Sequence, residues 1–172
     1  DRIVNPTVNG LRAEGIIYNG FIFFGLIKVG NDPWVIEYNC RMGDPETEVV
    51  MPRLQNDLVE LMLHMANGTL NEVPVQHSPL KAATVMMVSG GYPGDYAKGK
   101  VMTGLDKVNG STLFHAGTTM AGNDVVTSGG RVIAITSLAD TLAGALQQSY
   151  ASAAHIQYEG AYYRRDIGWE FL

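Results

Sequence analysis

The sequence predicts an α+β fold on three observations. Residues 16–39 alternate apolar blocks with a turn signal: "IIYNGFIFFGLIKV", "GNDP" at 30–33, then "WVIEYN", the pattern of a β-hairpin. Residues 56–68, "NDLVELMLHMANG", carry a helical stripe of Leu58, Leu61, Met62 and Met65, with Gly68 as its stop. Beyond residue 80, short strands separated by glycine turns lead to a helix from about 140 to 157. That second half reads as a small antiparallel sheet or partial barrel with one helix.

Each element follows from local chemistry. Asp44-Pro45-Glu46 has the make-up of a helix start, with Asp as cap, Pro in the first helical position and an acid in the first turn. Pro52 is expected to kink or restart that helix. Residues 69–80, "TLNEVPVQHSPL", hold two prolines and no periodicity, which divides the chain into domains 1–75 and 76–172. The strands of the second domain are "KAATVMMVSGGYPGDYAKGKVMTG", "STLFHAGTTM", "DVVTSGG" and "RVIAITSL". Its helix places Leu142, Leu146 and Tyr150 on one face. In the closing "YYRRDIG", Arg164, Arg165 and Asp166 read as a structural ion pair holding the C-terminal segment.

Composition bounds the function. The chain has 172 residues, 46% hydrophobic and 17% charged, as expected of a globular protein able to bury a sizeable core. With a net charge of −5 and no basic run, a nucleic-acid partner is not expected, whereas one or two arginines suffice for a small phosphorylated ligand. The lone Cys40 allows no internal disulfide, so a reducing, cytoplasmic location is expected. Apolar runs such as "FIFFGLI" are too short to span a bilayer, and no membrane partner is expected. The chain opens without Met in "DRIVNPTVNGLRAEG", which reads as mid-domain sequence, so it is expected to be a piece of a longer protein.

Polarity is concentrated in residues 36–48, "IEYNCRMGDPETE". If 34–39 is a strand, Trp34, Ile36 and Tyr38 face one way and Val35, Glu37 and Asn39 the other. Glu37 and Asn39 then present a carboxylate and an amide oxygen side by side, hard donors that suit Mg²⁺ completed by water and substrate phosphates. If the extended backbone continues, Arg41 joins that face and can grip a carboxylate or phosphate through two hydrogen bonds. The same residues also suit an edge strand with a solvated acidic face, followed by a helix that Asp44 merely caps.

The run "VIEYNCRMGDPETE" resembles the signature of the phosphoribosylamine–glycine ligase family of ATP-grasp enzymes. Its E-x-N-x-R part is shared among ATP-grasp ligases, and R-x-G-D-P-E marks this family. Similarity extends through "GLRAEGIIYNGFIFFGL", "GGYPGDYAKGKVMTGLD", "FHAGTT", "TSGGRVIAIT" and "YEGAYYRRDIG". The resemblance implies that 1–75 is the end of an ATP-grasp domain and 76–172 the family's C-terminal, hybrid-barrel-like domain. It implies a ligase of purine biosynthesis in which ATP, glycine and phosphoribosylamine give glycinamide ribonucleotide, ADP and phosphate through an acyl phosphate. Glu37 and Asn39 would hold Mg²⁺ or Mn²⁺, Arg41 would meet the carboxyl or acyl-phosphate group, and Asp44 would lie near the substrate amines.

Two departures qualify the carry-over. Many ATP-grasp enzymes have a further acidic metal ligand about a dozen residues before the E-x-N; here that place falls near Gly25, implying a site with a single ligand pair. The family's N-terminal domain and the first part of its ATP-grasp domain, with their nucleotide-binding residues, are not in this sequence, so the fragment alone is expected to be inactive. Other signals favour structural readings. The glycine-rich runs 89–100 and 127–131 fit neither a P-loop nor the dinucleotide-binding spacing and read as turns. The four histidines are scattered, Met62, Met65, Met86 and Met87 read as core, and Cys40 alternates toward packing. A different ATP-grasp ligase is disfavoured by "RMGDPE". A biotinyl-type carrier module is disfavoured because "TVMMV" lacks the lysine such a carrier needs between its methionines.

Overall fold

The computed structural model describes residues 2–171. In chain order the elements are α1 (Val4–Ala13), β1 (Phe23–Val29), β2 (Asp32–Asn39), α2 (Thr47–Val50), α3 (Leu58–Ala66), β3 (Lys81–Ser89), β4 (Thr112–His115), β5 (Thr118–Ala121), β6 (Asp124–Thr127), β7 (Arg131–Ala139), α4 (Leu142–Ala153) and β8 (Ala161–Tyr162). They fall into two compact units. Unit 1 holds the residues up to Asp44 together with Gln55–Gln76; unit 2 holds Pro45–Leu54 and the chain from His77 on. Residues 45–54, which precede the boundary expected at 75, thus cluster with the second unit.

Unit 1 is built on the expected hairpin. Strands β1 and β2 pair antiparallel from Phe23 opposite Asn39 to Val29 opposite Asp32. The register shifts once: Gly25 faces Glu37 and the next residue, Leu26, faces Val35, so Ile36 is an extra residue on β2. Such a bulge bends a strand and re-aims its neighbours. Helix α1 was not announced by the sequence, because Pro6 and Gly10 are poor interior helix residues. Pro6 falls in the first turn, where a missing N–H costs nothing. The helix is tied to the hairpin by an Arg2–Asp32 ion pair and a 3.4 Å contact between the Thr7 and Tyr38 hydroxyls. The Tyr38 ring meets Phe24 edge-on at 5.4 Å. Helix α3 is capped by Asp57, whose carboxylate accepts from the amides of Val59 (2.8 Å) and Glu60 (3.2 Å).

One expected helix start is displaced. Residues 44–46 form a turn, and α2 begins at Thr47 with Glu46 in the cap position making no side-chain capping bond. Pro52 limits α2 to a single turn, and a 3-10 turn over Met51–Arg53 follows.

Unit 2 is an antiparallel sheet in the order β4-β7-β3-β8, with β5 and β6 as a separate hairpin. Strand β7 is buried continuously from Val132 to Ser137, and α4 and α2 both pack on β3 and β7. The main core gathers Met87, Met102, Val132, Ile133, Ile135, Ala153, Ile156 and Tyr158. Leu146 packs with Ala83 and Ala145, flanked by Leu142 and Tyr150, which realises the expected helix stripe. Polar groups under α4 satisfy one another. Ser149 Oγ donates to Ala83 O (3.0 Å) and lies 2.9 Å from Ser137 Oγ, and Ser111 Oγ bridges Ser137 and Ser152 at 2.7 Å each.

The C-terminal segment is held differently from the sequence expectation. Arg164 does form a two-bond fork with Asp166 (2.9 and 2.8 Å), which raises the arginine's pKa and lowers the carboxyl's, but both side chains are exposed. The tie to the rest of the unit is Tyr150 on α4. Its hydroxyl donates to Arg164 O (3.1 Å) and accepts from the Ile167 amide (3.0 Å). Ile167 itself packs beside Leu146.

Tyr158 supplies a pH-dependent contact in this core. Its hydroxyl donates to Val88 O at 2.9 Å, and burial pushes its pKa from 10.0 up to about 12. Because the folded state holds this proton more tightly, the stabilisation is complete below pH ~10 and is lost as pH rises toward ~12. Tyr158→Phe should destabilise unit 2 by about 0.5–1.5 kcal/mol at neutral pH and flatten its alkaline unfolding. Urea titrations at pH 8 and at alkaline pH, followed by circular dichroism, measure both effects.

Candidate functional site

The hairpin brings two sequence-selected residues together. Glu37 and Asn39 lie at the end of β2, and Asn39 Nδ2 donates to Glu37 Oε1 at 3.0 Å, so the two side chains share one side of the strand as alternation requires. Tyr38 between them contacts Phe24 and Thr7. Glu37 is exposed and Asn39 half-buried. The donor set is one carboxylate and one neutral amide, both hard. With Nδ2 on Glu37, the amide oxygen is turned away from the carboxylate, and a half-turn of the amide would present two oxygens together. No group of three or more His, Cys, Asp or Glu with metal-holding geometry occurs among the described residues. The pair therefore fits a magnesium-type ion that keeps most of its shell from water and phosphate, and does not form a closed protein cage.

Arg41 reaches its position by another route than alternation. The strand ends at Asn39, and Cys40 and Arg41 form a bend. The extended backbone that would have carried Arg41 onto the Glu37 face does not continue. Arg41 is exposed, and its Nη1 donates to Met42 O at 3.0 Å, a bond to the adjoining backbone that restricts the guanidinium's orientation. Asp44, exposed, ends the first of the two segments that make up unit 1. The same bend leaves Cys40 exposed and not on a packed face, and Cys40 O accepts from the Tyr18 hydroxyl at 3.3 Å.

The remaining sequence signals resolve as structure. Gly130 lies under Tyr92: a Cβ there would come within 2.2 Å of the Tyr92 ring. Ser89 N and Oγ donate to Gly130 O (2.8 Å) and Gly129 O (2.9 Å). The two glycine-rich runs are thus packed on each other, as turns and not as a phosphate cradle. His64 and His115 bond the hydroxyls of Thr69 and Thr118. Met86 and Met87 sit inside β3, with Met87 fully buried, and not at a hairpin tip as a carrier module would place them. The sequence singles out Gly25 for the acid it lacks, but not for its place directly across the hairpin from Glu37. A glycine inside a strand pattern is the one signal that could have flagged it.

Comparison with known proteins places this geometry. The model of the phosphoribosylglycinamide synthetase C domain matches residues 82–170, just over half of the chain, and that family's ATP-grasp domain matches residues 1–47. The chain belongs to the phosphoribosylglycinamide synthetase family. A phosphoribosylamine–glycine ligase of Vibrio cholerae is 48% identical over 99% of this chain, and one of Chlorobaculum tepidum 46% identical over all of it. The chain spans about 40% of the length of these curated relatives. A crystal structure of phosphoribosylamine–glycine ligase from Thermotoga maritima, 34% identical, superposes with a TM-score of 0.81 over 93% of this chain and 40% of that one. The biotin carboxylase subunit of pyruvate carboxylase, 16% identical with a TM-score of 0.57, shares the fold. The α+β class, with an ATP-grasp portion followed by an antiparallel sheet, is therefore the family's own.

Proposed function

We propose that this chain carries the metal-binding edge of a phosphoribosylamine–glycine ligase, which joins phosphoribosylamine to glycine with conversion of ATP to ADP and phosphate in purine biosynthesis. The observation that carries the reading is the Glu37–Asn39 pair on a bulged hairpin, within a sequence whose relatives over its whole length bear that name. On this reading, residues 1–75 end an ATP-grasp domain and residues 76–172 form the family's C-terminal domain. The protein works in the cytoplasm on small molecules alone.

Glu37 and Asn39 would hold Mg²⁺ or Mn²⁺. When bound, the metal neutralises charge on the ATP phosphates during phosphoryl transfer. Glu37 supplies the only negative charge of the pair, and Asn39 fixes its orientation. Arg41 grips the glycine carboxylate, or the acyl phosphate formed when one of its oxygens takes the γ-phosphoryl group and ADP leaves, by two parallel hydrogen bonds. Asp44, a carboxylate beyond the bend, orients the amine that attacks the acyl group. The nucleotide-binding residues belong to the part of the relatives that this chain does not span.

Three outcomes test the reading. Incubated with phosphoribosylamine, glycine and Mg-ATP, this chain alone should release no ADP above background; steady turnover would show that the site needs nothing more. In the full-length ligase, Glu37→Gln should keep the fold and raise the Mg²⁺ requirement steeply, and an unchanged Mg²⁺ dependence returns Glu37 to a solvated acidic face. Arg41→Lys replaces a fork by a point charge. It should lower kcat/KM by about 10²–10³, roughly 2.7–4 kcal/mol at the transition state, with little change in Tm. A lower Tm with near-normal turnover would make Arg41 a structural tether.

A further inference from the structure

We infer that Gly25 is a positioning residue for the Glu37 carboxylate, and that its lack of a side chain keeps the metal edge in working geometry; the inference rests on the reading of Glu37 as a metal ligand. Gly25 is the cross-strand partner of Glu37, at the position where the register shifts. A Cβ built on Gly25 would lie 2.8 Å from Glu37 Cγ, closer than side chains approach one another. Its next nearest atoms, Glu37 N and O at 3.6 Å, are at ordinary contact distance. The conflict is therefore with the middle of the Glu37 side chain and not with the backbone.

Gly25 is not needed for its backbone freedom. Its φ lies outside the positive range adopted by ten other glycines of the chain, so alanine is compatible with the conformation at this place. What the missing side chain provides is room. Glu37 lies across the neighbouring strand, and from there its Oε1 takes the Asn39 amide at 3.0 Å. A methyl group at residue 25 forces Glu37 to rotate about its own side-chain bonds, and rotation parts the carboxylate from Asn39. The bulge at Ile36 reinforces the arrangement, since it alters the spacing along β2 immediately before Glu37. A conserved fold with a displaced carboxylate is the expected result of filling the space.

The experiment uses the full-length ligase with Gly25→Ala, Glu37→Gln and the double variant. Mn²⁺ is titrated by electron paramagnetic resonance in the presence of a non-hydrolysable ATP analogue, and Tm is measured beside it. Gly25→Ala should weaken Mn²⁺ binding by about tenfold or more, the scale found for residues that orient metal ligands, while Tm stays level or rises. The apparent Mg²⁺ requirement should rise with kcat at saturating Mg²⁺ near normal. The double variant should bind Mn²⁺ no more weakly than Glu37→Gln alone, because Gly25 acts through Glu37. Normal Mn²⁺ binding by Gly25→Ala beside weakened binding by Glu37→Gln overturns the role of Gly25 and leaves the metal reading standing. Normal binding by Glu37→Gln overturns the metal reading and this inference with it. A Gly25→Ala protein that fails to fold, or effects that simply add in the double variant, assign the glycine to folding and overturn the inference too.

Discussion

Burying six consecutive residues of one strand requires cover on both of its faces, since successive side chains point to opposite sides of a sheet. Strand β7 meets this demand from Val132 to Ser137, and the rest of unit 2 is arranged to satisfy it. Strands β3 and β4 take its backbone hydrogen bonds, α4 and α2 lie against it, and Met87, Met102, Ala153, Ile156 and Tyr158 pack with its side chains. Pro45–Leu54, four-residue helix included, cluster with unit 2, where α2 lies against β3 and β7, while the sequence on either side belongs to unit 1. Helix α4 alone could cover only one face. The same burial explains the serine cluster: Ser137 is buried with the strand, Ser149 and Ser111 supply partners for a hydroxyl that would otherwise be buried unpaired, and Ser152 in turn bonds Ser111.

Unit 1 follows another logic. Its hairpin buries little, and Leu26, Ile27, Trp34, Ile36 and Tyr38 are all exposed. Its conformation is instead set by local constraints: the turn at Gly30-Asn31, the bulge at Ile36, and the ties from α1 through Arg2 and Thr7. The polar residues of 37–44 belong to this lightly buried part. A charged side chain there loses little solvation, so an exposed residue such as Glu37 needs no compensating ion pair. Concentrated polarity in one corner is therefore compatible with a stable chain, because the corner adds almost nothing to the burial on which stability depends.

Much of this was legible in the sequence. The hairpin, the α3 and α4 helices, and the succession of strands in unit 2 all follow from periodicity and turn residues; α4 buries its stripe, whereas α3 buries no residue and Met62, read as core, is exposed. The pairing of Glu37 with Asn39 followed from strand alternation alone. What escaped were features set by tertiary contact or by single-residue irregularities. Helix α1 carries a proline and a glycine that argue against it locally, and it is tied by contacts to residues about thirty positions away. The bend at Cys40–Arg41 breaks an alternation that nothing in "NCRMG" announces. The first turn of α2 slid from Asp44 to Thr47 because Pro45 suits a turn as well as a helix start. The tie of the C-terminal segment lay in Tyr150, which the sequence placed on one helix face without showing what its hydroxyl would bond.

A site with one carboxylate and one amide has a consequence for how it would be filled. Magnesium gives up its water reluctantly and is held in phosphate-transfer sites by one or two carboxylates together with the phosphates themselves. Glu37 and Asn39 supply a single negative charge between them, and the position across the hairpin from Glu37 is a glycine where an acid would have doubled it. On the proposed reading, most of the charge that retains the metal must then come from the nucleotide. Metal and ATP would bind as one unit, each raising the other's affinity by the same factor, as linkage requires. A second carboxylate at residue 25 would weaken that coupling by holding metal without nucleotide, and it would also collide with Glu37. On that reading the glycine would answer both demands at once: it leaves room for the carboxylate that is present, and it would keep the site dependent on the nucleotide.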